Sequence, residues 1–226
     1  MPAATTPPPA TPRPAPKRRA ADVAYDAIET LISTLQLEPG SPVVEAELAE
    51  RTGLGRTPVR EALMRMVSIG LIDQQLRRGL LISTIDLADH LDVIQTRRAL
   101  EGLIAACSAR RATALQRKAI LRCAERMVRA AARDSLADYM DADHALDQVN
   151  HQACRNMSAV NAVVPLAIKC RRFWYAYQHT GEIVEGAEAH LALAQGIATG
   201  DEAAAVAGAD RLMDYLERFA HQVIDS

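Results

Sequence analysis

Apolar residues recur along most of this chain at steps of three and four and only rarely alternate, a periodicity that predicts helices and little sheet. Ala24, Ile28, Leu31 and Leu35 fall on one face of a helix starting near Val23, and Glu38-Pro39-Gly40 breaks it. A short helix is expected from about Glu45 to Arg51 with Leu48 and Ala49 inward, and Thr52-Gly53-Leu54-Gly55 reads as a tight turn. A third helix is expected near Thr57, whose hydroxyl suits an N-cap, with Pro58 at the first helical position. It turns Val59, Leu63 and Met66 inward and stops near Gly70. Two apolar segments, Leu71-Ile72 and Leu80-Leu81-Ile82, flank Leu76-Arg77-Arg78-Gly79 and predict a β-hairpin with a basic tip. Helix, helix, turn, helix and hairpin is the order of a winged helix-turn-helix.

Beyond Asp86 the pattern is helical throughout. Six helices are expected, over about 86–110, 114–133, 135–156, 162–179, 182–199 and 201–224, with Gly181 and Gly200 as stops and Asp201 capping the last. Ala205, Ala209, Leu212, Leu216, Phe219 and Val223 form one inward stripe, and Leu166, Cys170, Phe173 and Tyr177 another. The expected fold is therefore mainly α: a winged helix-turn-helix over 21–85, then an all-helical antiparallel bundle over 86–226.

Composition changes this picture at the start of the chain. Residues 1–20 hold seven of the 11 prolines and no acids, so they cannot bury apolar surface and are expected to form a disordered tail. Arg13, Lys17, Arg18 and Arg19 there are either solvated or in contact with DNA phosphates. The first twenty residues have no secretory apolar segment, and no apolar run approaches a membrane span. Four widely spaced cysteines, 107, 123, 154 and 170, contain no CxxC pair, which argues against a zinc ribbon and fits reduced thiols in a cytoplasmic protein.

The net charge is −2, so the chain as a whole is no general polyanion binder. Yet six arginines (51, 56, 60, 65, 77, 78) stand against Glu61 and Asp73 between Arg51 and Arg78, a patch fit to dock on phosphate at one place. Arg56 and Thr57 lie at the start of the third helix, where free N–H groups favour phosphate. Arg60, one turn on, suits a guanine edge in the major groove.

In the helical half, three polar residues occupy positions expected to be apolar. Leu136, Met140, Asp147, His151 and Cys154 share one stripe, and Ile183, Ala187, His190, Ala194 and Ile197 another. Asp147, His151 and His190 are thus expected to point inward. A divalent metal, or an anionic ligand with a counter-charge, would offset the cost of burying them.

The stretch PGSPVVEAELAERTGLGRTPVREAL, followed by GLIDQQLRRGLLIS, resembles the GntR family of bacterial transcription regulators, with Gly55 where that family usually has serine. The resemblance implies DNA contacts by Arg56, Thr57, Arg60 and Arg78, and a wing tip at Gly79 that approaches the minor groove. Residues 86–226 resemble the FCD helical domain of the FadR-type branch through TRRALEGLIAACSARRAT, LDQVNH and EAHLALAQGIATGDEAAA. That resemblance implies metal ligands at Asp147, His151 and His190, of the zinc or nickel class, and a further histidine about twenty residues on, where this chain has Leu212. Either a three-ligand open site or a metal-free core follows. His144, seven residues from His151, is set aside as a ligand because the spacing is ~10 Å along a helix, and Asp210 should point away from the site.

Arg97, in the shared Arg-x-x-Leu-Glu run, either faces a carboxylate effector or pairs with Glu101 four residues on. The function expected is a ligand-responsive transcription regulator, a repressor sensing a small carboxylate, homodimeric on a palindromic double-stranded operator, and not an enzyme. A constitutive architectural DNA binder and a metal-dependent hydrolase are the alternatives.

Overall fold

The computed structural model describes residues 18–178 and 182–225. The expected tail therefore lies outside the described residues up to Lys17, and so does the helix stop at Gly181. The described residues form α1 (Ala20–Ser33), α2 (Glu45–Thr52), α3 (Arg56–Ser68), β1 (Ile72–Gln75), β2 (Gly79–Ile82), α4 (Leu87–Arg111), α5 (Ala114–Ala131), α6 (Leu136–Cys154), α7 (Met157–Tyr177), α8 (Glu182–Thr199) and α9 (Glu202–Ile224). The fold is mainly α, with one small two-stranded sheet.

The head is built on a small apolar core. Ala24, Ile28 and Ile32 of α1 meet Leu48 of α2, Val59, Leu63 and Met66 of α3, and Leu71, Ile72 and Ile82 of the wing. The buried face of α1 differs from the expected one at its end, because the helix stops at Ser33 and Leu35 turns away at φ 55°. Ile32 replaces Leu35 in the core. Helix α3 also begins two residues earlier than expected, at Arg56 rather than Pro58. Gly55 is its N-cap and makes no side-chain bond, so Thr57 is not the cap. Pro58 falls third in the helix, still among positions whose N–H has no intrahelical acceptor.

The strands pair antiparallel from Ile72↔Ile82 to Gln75↔Gly79, leaving Leu76, Arg77 and Arg78 as the tip. Gly79 has φ 76°, a conformation that side chains with a Cβ rarely adopt, and this lets the tip close. Residues 40–43 cover the edge of β2: Val43 N donates to Leu80 O (2.8 Å) and Ile82 N to Ser41 O (2.9 Å).

In the helical half, Asp86, Asn156 and Asp201 cap α4, α7 and α9, and Thr113 with Gln116 makes a capping box on α5. Helix α7 starts five residues before the expected 162 and runs through Pro165. Asn156 sets that start by accepting from Ala159 N (3.2 Å). Helices α8 and α9 come close enough that a Cβ at Gly208 would lie 2.5 Å from Leu193 Cα, and one at Gly196 would run into the Ala205 backbone. The inward stripes expected on α8 and α9 are buried, with Val223 packed at the margin. The two halves touch through α1 and α7: Ile168 of α7 belongs to the head's core, and Arg172 clamps the linker through Ser83 Oγ (3.1 Å) and Ser83 O (2.5 Å). Among the described residues no helix is long and apolar enough to cross a membrane.

Candidate functional site

The face of α3 that leaves the head core presents Arg56, Thr57 and Arg60 to solvent, while Val59, Ala62, Leu63 and Met66 hold the helix from behind. Arg78 and Gly79 at the wing tip are exposed as well. The basic patch is thinner than the sequence alone implies. Arg65 donates to Asp22 (2.8 Å) and lies over the Tyr25 ring, and Arg51 reaches Gln36. Arg60 is held by Glu45 of α2, with Nε 3.0 Å from both carboxylate oxygens and Nη2 2.7 Å from Oε2. The hydrogen bond from Arg60 lowers the Glu45 pKa. This aligned and exposed fork is what a nucleic-acid acceptor would compete for.

The polar residues of the helical half assemble differently from expectation. Arg171 of α7 stands at their centre, with each guanidinium nitrogen on a different carboxylate. Nε donates to Asp143 (2.5 Å), Nη2 to Asp147 (2.6 Å) and Nη1 to Glu29 of α1 (2.9 Å). Burial opposes the charge on each partner. The carboxylates nevertheless raise Arg171 well above its ordinary value, and Arg171 together with His144 holds Glu29 at about 2. Asp143 is likewise held far below the usual carboxylate range by Arg171 and His190, against the effect of burial.

His190 faces Asp143 rather than Asp147. Its Nε2 is 3.1 Å from Asp143 Oδ1 and its Nδ1 2.7 Å from Gly186 O. A carbonyl and an ionised carboxylate can only accept, so both ring nitrogens carry protons and the ring is an imidazolium. Burial disfavours that charge, but Asp143 outweighs it and raises the His190 pKa. His144 pairs with Glu29 through Nδ1 (2.9 Å). The Gln148 amide nitrogen donates to Asp26 (2.9 Å) and lies 2.8 Å from His144 Nε2. Burial lowers the His144 pKa and Glu29 raises it, with a net upward shift.

Asp147, His151 and His190 are therefore not gathered around one point. The inward stripe of α6 runs through Tyr139, Ala142, Leu146, Asn150 and Ala153, leaving Asp147 and His151 half-buried on the flank toward the head. His151 Nε2 is buried without a hydrogen-bond partner, and so is Asn150 Oδ1. Among the described residues no group of three His, Cys, Asp or Glu side chains is placed to hold a metal. These residues do not fit a divalent ion. Asp147 is taken by a guanidinium, His190 carries a proton on the nitrogen that would ligate, and Leu212 is buried and apolar.

Arg97 donates from Nε to Glu101 (2.8 Å), both side chains being buried, which is the ion-pair alternative of the two expected for it. The cavity it shares with Asp143, His190, Leu212 and Tyr215 has a volume of about 30 Å³, room for a water and no metabolite. A chamber of about 490 Å³ lies between head and bundle, lined among others by Tyr25, Glu29, His144, Asp147, His151 and Arg171. Asp210 does point away, toward Arg98, and all four cysteines are free.

Sequence reasoning missed Glu29, Asp143 and Arg171, and weighed His144 only as a metal ligand. Two signals were available: Arg171-Arg172, with Lys169, interrupt an otherwise apolar stretch of α7, and Asp143 stands one turn before Asp147.

Comparison with known proteins places both regions. The model of the gntR family of bacterial regulatory proteins matches residues 20–82, and that of the FCD domain matches 92–215. A regulator of the HTH type from Agrobacterium vitis, in the TAR-I ttuE-ttuC' intergenic region, is 37% identical over 82 residues, 36% of this chain and 48% of that one. The matches to curated relatives span from a third to about half of those proteins' lengths. The solved structure of E. coli McbR/YncC superposes with a TM-score of 0.77 at 16% identity, over 92% of this chain and 100% of that one. That of a transcriptional regulator GntR from Rhodococcus sp. RHA1 does so at 0.65 and 13%, over 91% and 98%. These two likenesses concern the fold. With both family models matched in order, the FCD match alone covering more than half of the sequence, the chain belongs to the gntR family of bacterial regulatory proteins, with a C-terminal FCD domain.

Proposed function

We propose that the protein is a ligand-responsive, DNA-binding transcription regulator, acting as a cytoplasmic homodimeric repressor on a palindromic operator. The observation that carries this is the exposed row Arg56, Thr57 and Arg60 on a helix fixed from behind by the head core, beside a basic wing tip. In the major groove Arg60 exchanges Glu45 for a guanine edge, while Arg56 and Thr57 engage phosphate at the helix start. Arg78 and Gly79 follow the adjacent minor groove.

The effector proposed is a small carboxylate. The chamber of about 490 Å³ is of metabolite size. The buried guanidinium in its wall, Arg171, is held by protein carboxylates, one of which a ligand carboxylate can replace. Exchange at Arg171 would release Glu29, and with it α1, changing how two heads fit two half-sites.

Selection of binding sites from a random duplex pool tests the reading, followed by affinity measurement on the selected site. Arg60→Ala should weaken binding by about tenfold to a hundredfold and relax preference at one base position. Failure to select any sequence, or an Arg60→Ala variant with unchanged affinity and preference, would remove α3 as the reading element. Titration of organic acids into the complex tests the effector, and no response to any of them favours a constitutive binder.

A further inference from the structure

The polar centre of the helical half lies where the sequence implied a metal, yet a side chain already fills it. We propose that Arg171 is the resident cation of this domain in place of a divalent metal, and that its third arm, on Glu29, fastens the DNA-binding head to the domain. Three nitrogens of one guanidinium meet three carboxylates at 2.5, 2.6 and 2.9 Å. The Arg171 side chain is only 8% exposed, and guanidinium does not lose its charge in a protein. A metal ion at Asp147 would sit against that fixed charge, and would require His190 to give up its bond to Asp143.

Glu29, Asp143 and Asp147 all meet the one guanidinium, with His190 on the second oxygen of Asp143 and His144 on that of Glu29. Removing Arg171 would leave three carboxylates converging on empty space, which is a cation site by construction.

Arg171 also does something an ion ligated inside the bundle would not. Two of its bonds go to α6 and the third leaves the bundle for α1 of the head. Glu29 is 1% exposed, accepts from Ser33 Oγ at 2.8 Å, and receives His144 on its other oxygen. The cation of the sensor domain is thereby a direct anchor of the helix that supports α3. This rests on the coordinates of the centre and not on the identity of any effector.

The test uses the purified full-length chain and needs no DNA, so it can fail independently of the proposed function. Metal content is measured by mass spectrometry as purified and after dialysis against zinc or nickel, alongside melting temperature with and without EDTA. The expected result is no stoichiometric metal and no shift of melting temperature in either direction. In Arg171→Met the melting temperature should fall, and added divalent metal should restore part of it, with a stoichiometric ion now retained. Should Arg171→Met not fold, Glu29→Gln carries the second half. Amide exchange along α1 should accelerate relative to wild type while α8 and α9 keep their protection. A wild-type chain that holds one zinc or nickel ion, losing it in Asp147→Ala and His190→Ala, overturns the proposal. Unchanged exchange along α1 in Glu29→Gln overturns the anchoring.

Discussion

Replacing Glu29 by glutamine keeps the size of a fully buried side chain but removes its charge and turns one acceptor oxygen into a donor, so the change disables one arm of the Arg171 centre. Arg171 and His144 hold the Glu29 carboxyl at about 2, against 4.5 for a free side chain, despite burial. A difference of that size amounts to about 3 kcal/mol of folding free energy at pH 7, at ~1.4 kcal/mol per pH unit. Breaking a buried pair outright costs ~3–5 kcal/mol. Arg171 keeps Asp143 and Asp147 in the variant, so about 3 kcal/mol or slightly less is expected. The sign follows from the depressed pKa. The stabilisation is fully present above pH 4.5 and is lost as pH falls toward 2, so the gap between wild type and Glu29→Gln should shrink to about 1 kcal/mol at pH 3. Urea unfolding of both proteins at pH 7 and pH 3, followed by circular dichroism, reads this directly. The exposed pair of Glu45 with Arg60, removed by Glu45→Gln, should leave the unfolding midpoint where it was. A gap below about 1 kcal/mol at pH 7, or one equally large at both pH values, would refute the assignment of Glu29 as a charged anchor.

Gly208→Val should lower stability by more than ~2 kcal/mol, because its Cβ would meet the Leu193 backbone, which cannot swing aside as a side chain can; thermal unfolding checks this, and a neutral variant would mean that α8 and α9 can separate. Gly55→Ser should stabilise the head by a few tenths of a kcal/mol in the same assay, since the N-cap of α3 has no side-chain bond and a Cβ there makes only ordinary contact with Pro58. The serine hydroxyl at a helix start facing DNA should also tighten operator binding rather than weaken it.

The order of elements in the head was legible in the sequence because local chemistry punctuates it, although the end of α1 and the start of α3 were displaced. Pro39-Gly40 ends one segment, Gly53 follows α2, and the apolar pairs around Arg77-Arg78 can be satisfied only by a hairpin. The six later helices were legible through their apolar stripes and through Asp201 as a cap; Asp86 and Thr113 cap α4 and α5 in the same way. Helix α7 was placed too late because its N-cap, Asn156, lies upstream of the apolar stripe from Leu166 that marked the helix. The polar centre was only half legible. Periodicity put His190 inward correctly, but it could not decide between Asp143 and Asp147, which stand on the same helix one turn apart. That choice is made by Arg171 and Glu29, which reach the site from α7 and α1 across the fold. A long-range charge pairing leaves no periodic trace.

Helix α1 shows why that pairing matters more than its position in the chain implies. Ala24, Ile28 and Ile32 are spaced by four and form the stripe that packs into the head beneath α3. Glu29 and Ser33 follow Ile28 and Ile32 by one residue, so they lie about 100° around the same helix, on the side that meets α6 and α7. One helix thus presents an apolar face to α3 and a charged face to the FCD domain, with adjacent residues serving different halves of the molecule. Its apolar stripe tolerates small shifts at modest cost, since it lacks directional bonds. The Glu29 carboxylate does not, because both oxygens are committed to directional partners in a site shielded from water. The orientation of α1, and of α3 packed upon it, is therefore governed less by the head's own core than by the partners of a single buried arginine. A ligand that alters those partners acts on the DNA-reading helix through one intervening element.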